Sequence, residues 1–116
     1  MLKILATCLL LLVACAEVSE ATPCHRSDAL RFIGPDFSIS QMEAIGLEYA
    51  ARASKAPQVP FAYGNKDWLS LKAQYRPGDR FVAYEQLWPK SGKPFAWGYA
   101  LVRGKCVVGL LGTRVA

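Results

Sequence analysis

Few side chains in this sequence could carry out covalent or acid–base chemistry. There are four cysteines (Cys8, Cys15, Cys24 and Cys106) and one histidine, His25. A thiol can take an acyl group, close a disulfide, ligate a metal or attack a substrate, and its surroundings decide which. Zinc needs three or four convergent protein ligands, more Cys and His than the chain offers beyond its first segment. Cys24-His25 lacks the upstream cysteine of a C-x-x-C-H haem attachment. No G-x-S-x-G, H-E-x-x-H or glycine-rich phosphate loop occurs. Paired carboxylates could work without histidine, but Glu85 falls on a strand and Asp79 in a turn, with no evident partner. His25 reads as an exposed arm residue. We therefore expect no enzyme, no catalytic residue, no cofactor and no metal site.

The chain opens Met1-Leu2-Lys3 and runs apolar from Ile4 to Ala14, broken only by Thr7 and Cys8. One positive charge ahead of a short apolar run is the layout of a secretory signal peptide. A membrane-spanning helix needs about 20 apolar residues, and here Glu17 and Glu20 close the run too early. With no polar face to show to water, the run is not a surface helix of the folded domain either.

The run ends Leu12-Val13-Ala14-Cys15. This resembles the lipobox of bacterial lipoproteins, which implies lipidation of Cys15 (a palmitate-type acyl anchor) as the mature N-terminus. Residue 16 is Ala rather than Asp, and the resemblance then implies the outer membrane of a Gram-negative cell, facing the periplasm. The alternative is ordinary cleavage at Ala14-Cys15-Ala16, giving a soluble periplasmic or secreted protein.

Removing the signal peptide takes Cys8 with it. Cys24 and Cys106 then remain in an oxidising compartment and are expected to pair, the alternative being two buried thiols. The loop closed would be about 80 residues long, worth roughly 4 kcal/mol in the chain-entropy model. Loss of Lys3 lowers the formal net charge of +5 by one. Export makes nucleic acid an improbable partner, leaving anionic lipid, lipopolysaccharide or an acidic protein surface.

Residues 1–14 are the signal peptide, 15–37 a lipid-anchored tether and irregular arm ending at Gly34-Pro35, and 38–116 a small domain. Ser40 with Glu43 fits a capping box, and Met42, Ile45, Tyr49 and Ala53 come after it at helical spacing, with Glu48 and Arg52 off that face. The helix should stop before Pro57. Asn65 is expected to cap a second helix through about Tyr75, with Trp68, Leu71 and Tyr75 on one face. After the turn Arg76-Pro77-Gly78-Asp79 the period changes to two: strands are expected at 80–88, 95–103 and 106 to about 113. The fold class is thus α+β, two helices packed on a three-stranded antiparallel meander (α-α-β-β-β).

A two-residue turn at Gly104-Lys105, of type II′, would place Cys106 opposite Arg103, with Val108 and Leu110 beside Leu101 and Tyr99. A disulfide from Cys24 would then draw the arm over the aromatic face of the middle strand, which carries Phe95, Trp97, Tyr99 and Leu101. Either that face is core, or Trp97 and Tyr99, with Trp88 or Tyr84, form an exposed binding patch. Arg76, Arg80, Arg103 and Lys105 gather at one sheet end, with Asp79 the only nearby acid. That makes a candidate site for an anionic partner.

The α-α-β-β-β order over residues 40–113 is similar to small outer-membrane lipoproteins of the SmpA/OmlA type, accessory to outer-membrane protein assembly. It departs from them in having Arg76-Pro77-Gly78-Asp79 after the second helix. The reading is a small cell-envelope lipoprotein acting as a binding or accessory module for an envelope protein complex. The alternatives are an envelope inhibitor or immunity protein against a toxic enzyme, and a small-ligand or lipid binder.

Overall fold

The computed structural model describes residues 29–116. Cys15, Cys24 and His25 therefore lie outside the described residues. Four antiparallel strands form one sheet in the order β1 (Leu30–Phe37), β2 (Arg80–Leu87), β3 (Pro94–Arg103), β4 (Cys106–Val115). Helices α1 (Ile39–Ala51) and α2 (Asn65–Ala73) are inserted between β1 and β2. The expected three-stranded meander is thus corrected to a four-stranded sheet, because the segment read as an irregular arm is a strand. Gly34-Pro35 does not end that segment. The register jumps from Ile33 opposite Ala83 to Asp36 opposite Val82, so Gly34 and Pro35 loop out of the ladder. Only an edge strand tolerates this, since proline has no N–H to give. Gly34 supplies the left-handed conformation required, at φ +84°.

The cap of the first helix stands two residues before the expected one. Ser38 Oγ accepts from the Gln41 N–H at 3.2 Å, and the Ser38 N–H donates to Gln41 Oε1 at 2.8 Å. The box is Ser38/Gln41 rather than Ser40/Glu43, which lets Ile39 enter the helix and pack on the core. The helix ends at Ala51, well before Pro57. Gln58 Nε2 then donates to the carbonyls of Ala50, Ala53 and Ala56 at 3.0–3.2 Å, satisfying groups that a helix end leaves open. Asn65 does not cap α2; Gly64 stands at the cap, and Asn65 Nδ2 donates to the Pro60 carbonyl.

Met42, Phe61, Trp68, Leu71, Phe81, Leu101 and Leu111 form the core between the helices and the sheet. Each large apolar side chain buried this way stabilises the fold by about 1.5–3 kcal/mol. The aromatic face of β3 is therefore the face that the helices cover. On the opposite face Val82, Tyr84, Ala100 and Val102 are buried as a second cluster, with Leu30 and Val107 against them. Tyr84 sits across from Gly98, on the other side of the sheet from Trp97 and Tyr99, so it is not part of an aromatic patch with them.

Candidate binding cleft

Two one-residue bulges in β4 shape the helix-covered face. The ladder runs Arg103–Cys106 and Val102–Val107, then resumes at Leu101–Gly109, leaving Val108 as an extra residue. It runs on through Tyr99–Leu111 and Gly98–Gly112, then resumes at Trp97–Arg114, leaving Thr113 as a second extra residue. Side chains alternate faces with period two, so each extra residue inverts the facing of every later position. The first bulge turns Leu111 inward (1% exposed) and Leu110 outward (43%). The expected pairing of Tyr99 with Leu110 and Leu101 with Val108 is corrected accordingly. The second returns Arg114 to the helix side, where its guanidinium lies 4.0 Å from the centre of the Trp97 ring.

Here α1 and the sheet enclose a cleft of about 300 Å³, lined by Ile45, Glu48, Tyr49, Arg52, Phe61, Trp97, Tyr99, Thr113 and Arg114. Residues 45, 48, 49 and 52 share one helix face by their spacing. The walls are fixed to each other. Tyr49 OH donates to the Thr113 carbonyl at 3.1 Å, and Thr113 Oγ1 donates to the Trp97 carbonyl at 3.3 Å. Phe61 contributes to the lining with its ring 5.7–5.9 Å from those of Tyr49, Trp68 and Tyr99. It reaches that position through a left-handed backbone, φ +65°, with Ala62 next at +52°. Two consecutive non-glycine residues in that region are strained, and the surrounding ring contacts hold them there. Burial pushes the Tyr99 phenol up from its ordinary value, while the charge of Arg52 pulls it the other way.

The cleft carries two arginines and one acid. Arg31, Arg80 and Arg103 have carboxylate partners at 2.6, 3.8 and 2.8 Å respectively. Among the described residues Arg52, Arg76 and Arg114 have none, and two of these three line the cleft. Stacking on Trp97 holds the Arg114 guanidinium in place while leaving its N–H edge able to bind an anion. Among the described residues no group of three or more His, Cys, Asp or Glu is placed to hold a metal ion.

Of the residues expected from sequence, Trp97 and Tyr99 come together in this cleft. Arg76, Arg80, Arg103 and Lys105 lie near the opposite sheet end, about 20 Å away along β3. That end is not an open cationic patch. Arg103 Nε and Nη2 grip both oxygens of Asp79 at 3.0 and 2.8 Å, and Nη2 also donates to the Gln74 carbonyl. The Arg76 backbone N–H donates to Asp79 as well. Arg80 faces a second acid, Asp36, which β1 brings alongside. Lys105 occupies the two-residue turn after Gly104, whose φ of +60° with Lys105 outside the left-handed region gives the expected type II′. Cys106 stands opposite Arg103 as that turn requires and is not a free side chain. The other cysteine of the expected pair, Cys24, lies outside the described residues.

Sequence reasoning missed Glu48, Arg52, Phe61, Thr113 and Arg114. The spacing 45, 48, 49, 52 was a usable signal for the helix residues, whereas the bulge that aims Arg114 left none. No protein-family model, curated protein or solved structure matches the chain.

Proposed function

We propose that the chain is an exported, lipid-anchored binding protein, without enzymatic activity, that holds a small acidic ligand with a flat apolar body in the cleft between α1 and the end of β3 and β4. The carrying observation is the pairing of Arg52 and Arg114, both without acid partners among the described residues, with the aromatic rings of Trp97, Tyr99 and Phe61 in one 300 Å³ cleft. Ligand sites are typically such concavities, mostly apolar with a few fixed polar groups. A cleft favours a ligand over the flat contact that an accessory module for a protein complex would offer. The lipobox-like Leu12-Val13-Ala14-Cys15 supports the anchor at Cys15, and the reading includes a Cys24–Cys106 disulfide. No helix among the described residues is long and apolar enough to cross a membrane.

The test uses 2-naphthoate and its neutral counterpart 2-naphthalenemethanol, titrated by calorimetry. The acid should bind at least about tenfold more tightly, a difference of ~1.4 kcal/mol. Arg114→Gln should remove that preference, and Arg76→Gln should not. Equal affinity for the two probes rules out the acidic ligand, and no binding of either rules out the cleft. Cys15→Ser should abolish incorporation of an alkynyl palmitate analogue in cells, and unchanged labelling would refute the anchor.

A further inference from the structure

The loop joining β2 to β3 carries exposed aromatic and basic side chains. It is closed by the Trp88 N–H donating to the Lys93 carbonyl and the Gly92 N–H donating to the Trp88 carbonyl, both at 2.9 Å. The Trp88 ring stacks on Phe95 with centroids 4.0 Å apart and planes 24° from parallel. Stacking has not hidden the pair, since Trp88 remains 54% exposed. Val115 adds to the same end at 76% exposed, held there because the Ala116 N–H donates to the Phe95 carbonyl at 2.8 Å. Lys90 and Lys93 are exposed in the loop between Trp88 and Phe95, and residues 86–95 include no acid.

The point where the described chain begins is at this same end. The Ala29 carbonyl accepts from the Leu87 N–H at 2.8 Å, one residue from Trp88. The tether from Cys15 therefore joins the domain at Ala29, beside the exposed rings. About fourteen residues separate Cys15 from Ala29 and can span up to ~45 Å, so an anchor alone leaves the domain free to turn.

Exposed tryptophan with lysines and no acid, next to the attachment of a lipid-anchored tether, is the chemistry of a bilayer interface. Indole settles at the headgroup level, and lysines are drawn to anionic lipid. We propose that the β2–β3 hairpin end docks on an anionic membrane surface, with Trp88 and Phe95 at the headgroup–acyl boundary and Lys90 and Lys93 against lipid phosphates. The cleft residue Trp97 is two positions from Phe95, so this docking brings the cleft close to the headgroup plane. Docking through this end is independent of which ligand the cleft holds.

The test reconstitutes the mature protein, lipidated at Cys15, into phosphatidylcholine vesicles containing roughly one-third phosphatidylglycerol and measures tryptophan quenching by lipids brominated in the acyl chain. Trp68 is buried and Trp97 half-buried, so Trp88 should dominate the response. Trp88→Phe, which keeps a stacked ring, should remove at least half of the quenching. Lys90→Gln with Lys93→Gln should cut quenching at least about twofold, and so should purely zwitterionic vesicles. Each lysine near an anionic surface adds roughly fivefold to binding. Quenching that Trp88→Phe leaves unchanged, or that is equal on neutral and anionic vesicles, would overturn the proposal. A photocrosslinker at position 88 that captures a protein instead of lipid in cells would overturn it too.

Discussion

Arg114 lies against the Trp97 ring because Thr113 is one residue more than the β3–β4 ladder needs. Were Thr113 taken into the ladder opposite Trp97 instead, Arg114 would fall opposite Ala96, on the other face of the sheet and away from the cleft. Deleting Thr113 closes the bulge and leaves Arg114 next after Gly112, still opposite Trp97, so the preference for 2-naphthoate over its neutral counterpart should survive. Thr113→Ala keeps the backbone carbonyl that Tyr49 bonds and should leave the preference intact. Calorimetry on both variants decides the matter, and a preference lost in the deletion would show that β4 slips in register instead of closing the bulge.

Arg103 and Asp79 fasten the α2–β2 turn to the β3–β4 hairpin. The Asp79 side chain is 2% exposed and that of Arg103 34%. Arg103→Ala would leave the carboxylate buried with only the Arg76 N–H as partner. Removing one member of a fully buried pair costs about 3–5 kcal/mol, and partial exposure of Arg103 lowers the expectation to about 2–3 kcal/mol. Urea denaturation reads this directly, and a loss below ~0.5 kcal/mol would mean that the pair is of the ordinary surface kind.

The same pair makes the fold sensitive to acid. The hydrogen bonds from Arg103, joined by the Arg76 N–H, hold the Asp79 carboxyl below its usual 3.8 despite its burial. Glu43, bonded by Lys72, is likewise held below 4.5. In both cases the unfolded chain binds protons more readily than the folded one. Their contribution is therefore fully present above the ordinary carboxylate values and is lost as pH falls through and below them. Thermal melts should show a steady loss of Tm below about pH 4. Asp79→Asn should be less stable at neutral pH and flatter across this range; an unaltered acid slope would assign the effect elsewhere.

Gly46 and Gly98 are places where a backbone must come close. A Cβ at Gly46 would stand 2.7 Å from the Phe61 ring and 2.9 Å from its backbone nitrogen. Phe61 cannot step back easily, because its N–H donates to the Gly46 carbonyl at 2.9 Å. Gly46→Ala should cost about 2–3 kcal/mol. A Cβ at Gly98 would fall 2.0 Å from the Leu111 carbonyl oxygen, a backbone atom, so Gly98→Ala should be worse and fail to fold at 37 °C. Chemical denaturation and soluble yield check the two, and a stable Gly98→Ala protein would mean that β4 shifts freely.

Much of the architecture was legible because periodicity and turn chemistry agreed. The change to period two after Asp79, the turn at Gly104-Lys105 and the helical face of Met42, Ile45 and Tyr49 all stand where the residues imply. The misses share a cause, which is that pairing partners are set by tertiary contacts. Gly34-Pro35 signals a chain break locally, yet β2 offers Arg31, Phe32 and Ile33 partners on one side and Asp36 and Phe37 partners on the other. Ser38 and Ser40 both satisfy a capping pattern, and the packing of Ile39 selects the first. The cleft was half legible. Its aromatic wall is implied by alternation along β3, but the cations opposite it depend on the bulges and on where α1 crosses the sheet.

The two bulges of β4 behave like paired frameshifts. Each inserts one residue into a code of period two, so the strand is out of phase only between Val108 and Thr113, the stretch that seats Leu111. Beyond Thr113 the inside–outside phase is that of an uninterrupted strand. Losing Val108 or Thr113 itself closes one bulge and leaves every later residue opposite its present partner, whereas losing a paired residue shifts the ladder unless a bulge residue is drawn in to replace it. Among relatives of this chain, a lone one-residue deletion at position 108 or 113 should therefore be tolerated, and one at a paired position of the last strand should be rarer.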